Sequence, residues 1–228
     1  MTMPFYVPPE QVMKDRADYA RKGIARGRSL IGMTGSDGIV LVAENPSRTL
    51  YKISEIYDRI AFAGVGKYNE FEMLRIAGVR QADVKGYSFA REDVNARSLA
   101  NAYAQTLGQV FTHELKPYEI EILVAQVGAT PDDDEMFQIL YDGVVNDKEG
   151  FTVLGGQADA VSELMEQRYQ AGLDLAAAVK LGAGALAGSD GTPLTASQLE
   201  VAMLDRRRAR RAFRRVKGDE LDALLASS

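Results

Sequence analysis

The chain has 228 residues and a formal net charge of −5, with 46% hydrophobic and 26% charged residues, a composition that fits one folded domain with a substantial core. It has no Cys and a single His, His113, which excludes a disulfide framework and thiolate zinc or iron–sulfur sites and leaves any metal centre to carboxylates. The negative balance argues against general nucleic-acid affinity, no stretch reaches the ~20 apolar residues of a bilayer span, and Met1–Pro9 lacks the basic start and apolar run of a signal peptide.

Residues 1–9 are apolar and proline-rich without a period, and Pro8 and Pro9 suit the first turn of a following helix. From Glu10 to about Ala25, Met13, Ala17, Ala20 and Ile24 form a stripe with helical spacing. Acids sit early (Glu10, Asp15) and bases late (Arg21, Lys22, Arg26), as the helix dipole favours, and Gly27 ends the element. Ser29–Thr34 and Ile39–Ala43, around Gly35-Ser36-Asp37-Gly38, read as a β-hairpin, and Leu50–Tyr57 with Arg59–Gly64 as a second pair. A helical pattern covers about 68–84. Asp93 is the expected cap of another helix, on which Leu99, Tyr103, Leu107 and Phe111 share one face until about Leu115.

Glu119–Val127 and Glu135–Tyr141 make a hairpin across the acidic loop at 130–134, and Asp142-Gly143 turns the chain towards Phe151–Leu154. Gly155-Gly156 opens a helix to about Ala171, and a second runs from Asp174 to about Ala187. After the loop 188–193 come a short strand, Leu199–Leu204, a basic stretch, and an amphipathic helix around Glu220–Leu225. Hairpin-joined strands imply antiparallel sheets, and helices arriving in pairs imply layers over both outer faces. The expected fold is α+β: a four-layer αββα sandwich of two antiparallel sheets between helix layers.

This layout resembles the proteasome α-subunit family, of N-terminal-nucleophile-hydrolase fold and actinobacterial type. The residues carrying the resemblance are Tyr19-Ala20-Arg21-Lys22-Gly23-Ile24-Ala25-Arg26-Gly27, Gly38-Ile39-Val40-Leu41-Val42-Ala43-Glu44, Lys52-Ile53-Ser54-Glu55-Ile56-Tyr57-Asp58, Arg97–Gly108 and Pro117-Tyr118-Glu119-Ile120-Glu121. They span about residues 4–215. The resemblance divides the chain into a gate segment at 1–9, the α-type domain at 10–217 and a tail at 218–228.

It also implies a function without cofactor, metal or catalytic residue, in the cytoplasm. Seven copies would form a ring on a ring of β subunits, which the helices at about 68–84 and 94–115 would contact. Substrates in such systems often carry a small protein tag. β-type members expose an N-terminal threonine nucleophile by removing a propeptide. Here Arg26-Gly27-Arg28-Ser29 precedes the first strand, Arg28 stands roughly where that threonine would be, and the helix before it reads as a permanent part of the fold.

By the resemblance, Lys52 receives the C-terminal carboxylate of an activator, an AAA-type ATPase ring or an ATP-independent one, in a pocket between neighbouring α subunits. Gly27 would permit close backbone approach there, and Asp18 and Pro9 would flank the pocket and the gate turn. Met3, Pro4, Phe5, Tyr6, Val7 and Pro8 would form the gate, where apolar side chains are better hidden against copies of themselves at a ring axis than left in water. Two rival readings accompany this one. A β-type or related hydrolase would be cut to expose Ser29, and a nucleic-acid binder would use the eight bases between Asp205 and Lys217. The basic run reads better as a solvated helix face or a subunit contact, since only Phe213 is available for base stacking. The acidic loop at 132–134 reads as solvated, and His113 as a surface or capping residue.

Overall fold

The computed structural model describes residues 8–47, 49–187 and 193–226. Helix α1 (Pro9–Ile24) leads into strands β1 (Leu30–Gly35), β2 (Gly38–Glu44), β3 (Ile53–Tyr57) and β4 (Ile60–Gly66). Helices α2 (Tyr68–Ser88) and α3 (Ala96–His113) follow, then β5 (Ile120–Gln126), β6 (Glu135–Ile139), β7 (Val145–Asp147) and β8 (Phe151–Leu154). The chain continues with α4 (Ala158–Arg168), α5 (Leu175–Leu186), β9 (Leu199–Asp205), β10 (Phe213–Val216) and α6 (Asp219–Ala226).

The strands form two five-stranded sheets, ordered β10-β9-β2-β1-β8 and β3-β4-β5-β6-β7, with every pairing antiparallel. Three apolar layers explain the stack. Leu30, Ile39, Leu41, Ile53, Leu123 and Leu204 fill the space between the sheets. Phe62, Ile122 and Phe137 on one outer face meet Phe71 and Leu74 of α2 and Leu99, Tyr103 and Leu107 of α3. Val40, Val42 and Met203 on the other meet Met165 of α4, Val179 and Leu186 of α5, and Leu221 of α6. Strands covered on both faces are buried along their length and mostly apolar, as β2 and β9 are. The four-layer αββα sandwich is the observed fold.

Some local expectations are corrected. Asp93 belongs to a 3-10 turn and accepts the Ala90 N–H at 3.0 Å. The cap of α3 is Asn95, which accepts the Ser98 N–H at 2.9 Å. The helix expected to open at Gly155-Gly156 begins at Ala158. Two short strands were not anticipated: β7, beyond the Asp142-Gly143 turn, and β10, inside the basic run.

Helix α1 lies across the ends of both sheets. Its buried face, Ala20 and Ile24, packs with Tyr141, Ala17 and Phe111, and Arg16 donates to the Phe111 carbonyl at 2.7 Å. At its C-terminal end the Gly156 N–H donates to the Gly27 carbonyl at 3.1 Å, next to the end of β8. On the other sheet, Gly66 closes β4 with φ +100°, and a Cβ there would overlap the Glu119 carbonyl. Only glycine adopts that conformation readily. Gly66→Ala is expected to lower stability by about 3 kcal/mol or more, from the left-handed backbone and the overlap together. Gly184→Ala, in α5 with nothing within 4 Å of the new methyl, is expected to raise it by roughly 0.5–1 kcal/mol. Urea unfolding midpoints of the two variants check this contrast.

Candidate functional site

The end of α1 sets up one corner of the molecule. Beyond Gly27 the chain turns through Arg28 into β1, and the Arg28 carbonyl accepts a hydrogen bond from Lys52 Nζ at 2.7 Å. The Arg28 guanidinium pairs with Glu44 at the end of β2. Lys52 immediately precedes β3, the edge strand of its sheet. Its amine is partly sunk between the two sheet ends. Burial drives its pKa down from the ordinary lysine value to about 8, against the opposing pull of Glu200 and Glu44, while Arg28 lowers it further. An ammonium has three donors, and one is spent on the Arg28 carbonyl.

Glu200, the second residue of β9, holds this corner together. It is 7% exposed. One carboxylate oxygen accepts the Ile53 N–H at 3.0 Å and Arg215 at 2.8 Å. The other accepts the Lys52 N–H at 2.8 Å and the Asn45 side chain at 2.7 Å. Arg215, from β10, also donates to the Ile53 carbonyl at 2.6 Å and lies over the Tyr51 ring at 3.9 Å. Beside this pair opens a cleft of about 240 Å³ lined in part by Tyr51, Ser197 and Lys217.

The expected site residues are only partly brought together. Gly27 adjoins the Arg28 carbonyl that holds Lys52. A Cβ on Gly27 would stand 3.1 Å from the Gly66 nitrogen and 3.0 Å from the Ile24 carbonyl oxygen, so its lack of a side chain already serves packing within the chain. Asp18 lies on α1 and faces Arg21 at 3.6 Å. Pro9 is the first residue of the same helix, roughly 13 Å from Asp18 along the axis. Among the described residues neither has a hydrogen bond or ion pair to Lys52. Pro8 is exposed, and its carbonyl accepts from Gln11 and Val12 at 3.0 and 3.2 Å. Met3, Pro4, Phe5, Tyr6 and Val7 lie outside the described residues. Ser29, the conceivable nucleophile, is buried, and its hydroxyl accepts the Gln157 N–H at 3.3 Å.

A family model described as "Proteasome subunit" matches residues 24–204. The chain belongs to the proteasome subunit family. Among its relatives, proteins named "Proteasome subunit alpha" from Sanguibacter keddieii, Acidimicrobium ferrooxidans and Kineococcus radiotolerans are 62%, 60% and 57% identical to it. These matches cover 100%, 99% and 100% of this chain and 91%, 97% and 100% of the three relatives. Agreement over full length at this level puts the chain with the family's alpha members.

Within this proteasome fold the basic run is not a helix face. It leaves β9 at Asp205, turns, and returns as β10. Six of its eight bases meet carboxylates: Arg206 with Asp134, Arg207 and Arg208 with Asp205, Arg211 with Glu55, Arg214 with Glu220, and Arg215 with Glu200. The run therefore projects far less positive charge than its composition suggests. The expected solvated loop at 132–134 is likewise partly engaged, since the Asp134 side chain is buried against Arg206 at 2.8 Å. His113 is exposed at the end of α3, with Nδ1 3.2 Å from the Gln109 carbonyl oxygen.

Glu200 and Arg215 were not singled out from the sequence. A lone carboxylate in the apolar run Leu199–Leu204 was the available signal, because a buried charge demands a partner. The corner has a pH signature. Folded, Lys52 loses its proton near pH 8; unfolded, it holds it to about 10.5. Between these values the unfolded chain binds more protons, so this lysine makes stability rise with pH there. Lys52→Met is expected to remove that rise and to stabilise the fold at pH 7 by on the order of 1 kcal/mol, measured by denaturant unfolding between pH 7 and 10.

Proposed function

We propose that this chain is a non-catalytic alpha-ring subunit of a proteasome core that docks an activator and gates entry to the proteolytic chamber. One observation carries this reading most: the chain before β1 is a packed helix that crosses both sheet ends, and its exit holds a half-sunk lysine amine at the molecular edge. An N-terminal nucleophile needs the opposite arrangement, a first strand beginning at a free amine. The arrangement supports the silent class and gives a carboxylate-terminated partner a cation with two spare donors.

Assembly is proposed on the same footing. Seven copies, by family resemblance, form a ring seated on β subunits, in the cytoplasm. The outer side of α2 supports that contact: Met73, Ile76, Val84 and Tyr87 are exposed and recur at helical spacing, an apolar stripe that a partner would cover. No helix among the described residues is long and apolar enough to cross a membrane. The activator, an ATPase ring or an ATP-independent one, inserts its C-terminal segments between subunits beside Lys52, with Gly27, Asp18 and Pro9 at the pocket and the gate turn. That shift frees Met3–Pro8 from the pore. Substrates marked by a small protein tag are selected by the activator rather than by this chain.

Two expected outcomes test the reading in the particle assembled with its β partner. Lys52→Ala abolishes activator-stimulated proteolysis and leaves assembly and basal peptide hydrolysis unchanged; stimulation that survives sinks the docking role. Deleting residues 2–8 raises basal hydrolysis of small peptides several-fold, and an unchanged rate removes the gate.

A further inference from the structure

We propose that Glu200 is the positioning residue of the Lys52 site: its buried carboxylate fixes the backbone at residues 52–53 and so sets where the Lys52 amine stands for an incoming carboxylate. The inference rests on the docking reading of Lys52 for its functional consequence, but its geometry stands independently. β3 is the outermost strand of its sheet, so the N–H and C=O of Ile53 on the open side have no strand partner. Glu200 and Arg215, both from the other sheet, fill that vacancy. Glu200 accepts the Ile53 N–H at 3.0 Å and Arg215 donates to the Ile53 carbonyl at 2.6 Å. An ion pair thus stands in for one residue of a missing neighbouring strand, tying the sheets together where Lys52 leaves the edge.

Four donors saturate the Glu200 carboxylate: the backbone N–H groups of Lys52 and Ile53, the Asn45 amide and the Arg215 guanidinium. Each of its oxygens is engaged twice, which leaves the side chain no second orientation. Asn45 also donates to the Leu50 carbonyl at 2.7 Å, so the same carboxylate anchors both ends of the loop leading to Lys52. The charged groups around the amine come from three elements: Glu200 on β9, Glu44 at the end of β2, and Arg28 before β1. Arg215 on β10 faces it only through Glu200. Glu44 is engaged with Arg28, and of the charges acting on the amine Glu200 has the largest effect, opposing its burial.

The test is competitive labelling of lysines with acetic anhydride as a function of pH, read by peptide mass spectrometry on the assembled particle. It reports the titration midpoint of Lys52 without any activator. Wild type is expected to titrate near pH 8. Glu200→Gln moves the midpoint down by roughly one unit, because it removes the opposing charge with the largest effect. Arg215→Gln moves it up, because Glu200 is then less neutralised. This second variant keeps the test decisive if Glu200→Gln assembles poorly. A merely structural tie would lower stability in both variants without separating their midpoints, so midpoints that coincide or shift in the same direction overturn the inference. The Lys52→Ala stimulation assay decides the docking reading separately. If that reading stands, Glu200→Gln also lowers the pH at which activator stimulation is lost, and an unchanged pH limit contradicts the positioning role.

Discussion

The site described here depends on how α1 is seated. Its last turn lies over two sheet ends at once, beside Gly66 at the end of β4 and Gly156 after β8. Side chains are excluded where they meet: a Cβ at Gly23 would overlap the Glu119 side chain, one at Gly156 the Ala25 carbonyl, and one at Gly27 would stand 3.1 Å from the Gly66 nitrogen. The apolar contact is small, Ala20 and Ile24 against Tyr141, so the seating relies on close backbone approach and on polar ties such as Arg16 to the Phe111 carbonyl. From that seating the direction of the chain at Gly27 follows, and with it the Arg28 carbonyl that receives the Lys52 amine. The same corner leaves Ser29 buried, with its hydroxyl accepting the Gln157 N–H.

A second constraint acts on the other side of Lys52. The edge of β3 is completed by a buried carboxylate and a guanidinium rather than by a strand. Removing one member of such a pair leaves a buried charge unsatisfied, at a cost of about 3–5 kcal/mol, although the intact pair adds little net stability over apolar packing. An ion pair placed here therefore makes more sense as a device for direction and charge than for stability. It fixes two consecutive N–H groups and leaves a negative charge near an amine that burial would otherwise discharge. The lysine sits near the middle of its titration at mildly alkaline pH, a poise that apolar residues at these positions would not produce.

Much of this was legible in the sequence where one periodicity extends over a long segment. Helix α1, the 30–44 hairpin, the pairing of β5 with β6, and the face of α3 carrying Leu99, Tyr103 and Leu107 all follow from spacing and turn chemistry. β7 and β10 were missed because they are short and mostly polar, Val145-Asn146-Asp147 and Phe213-Arg214-Arg215-Val216, whereas the equally short β8 shows as an apolar run. In β10 the edge position puts Arg214 and Arg215 where their own partners wait, so the strand reads as a charge run. Asp93 and Asn95 are both good caps, and tertiary placement chose between them: the Ala96 N–H donates to Gln126 at 2.7 Å, which starts the helix two residues later. Resemblance drew attention to Lys52, but its setting was not legible in the sequence. Glu200 lies 148 residues away, and no local pattern links the two.

Native mass spectrometry of this chain, alone and co-expressed with a β-type partner, tests the central claim most directly, since a permanently seated α1 and a role in assembly are read in one spectrum. The account predicts a stacked-ring mass with the partner, in which this chain keeps α1 and is not cut before Arg28 or Ser29. A chain trimmed to a new terminus at either residue, or a monomer that ignores the partner, would contradict it.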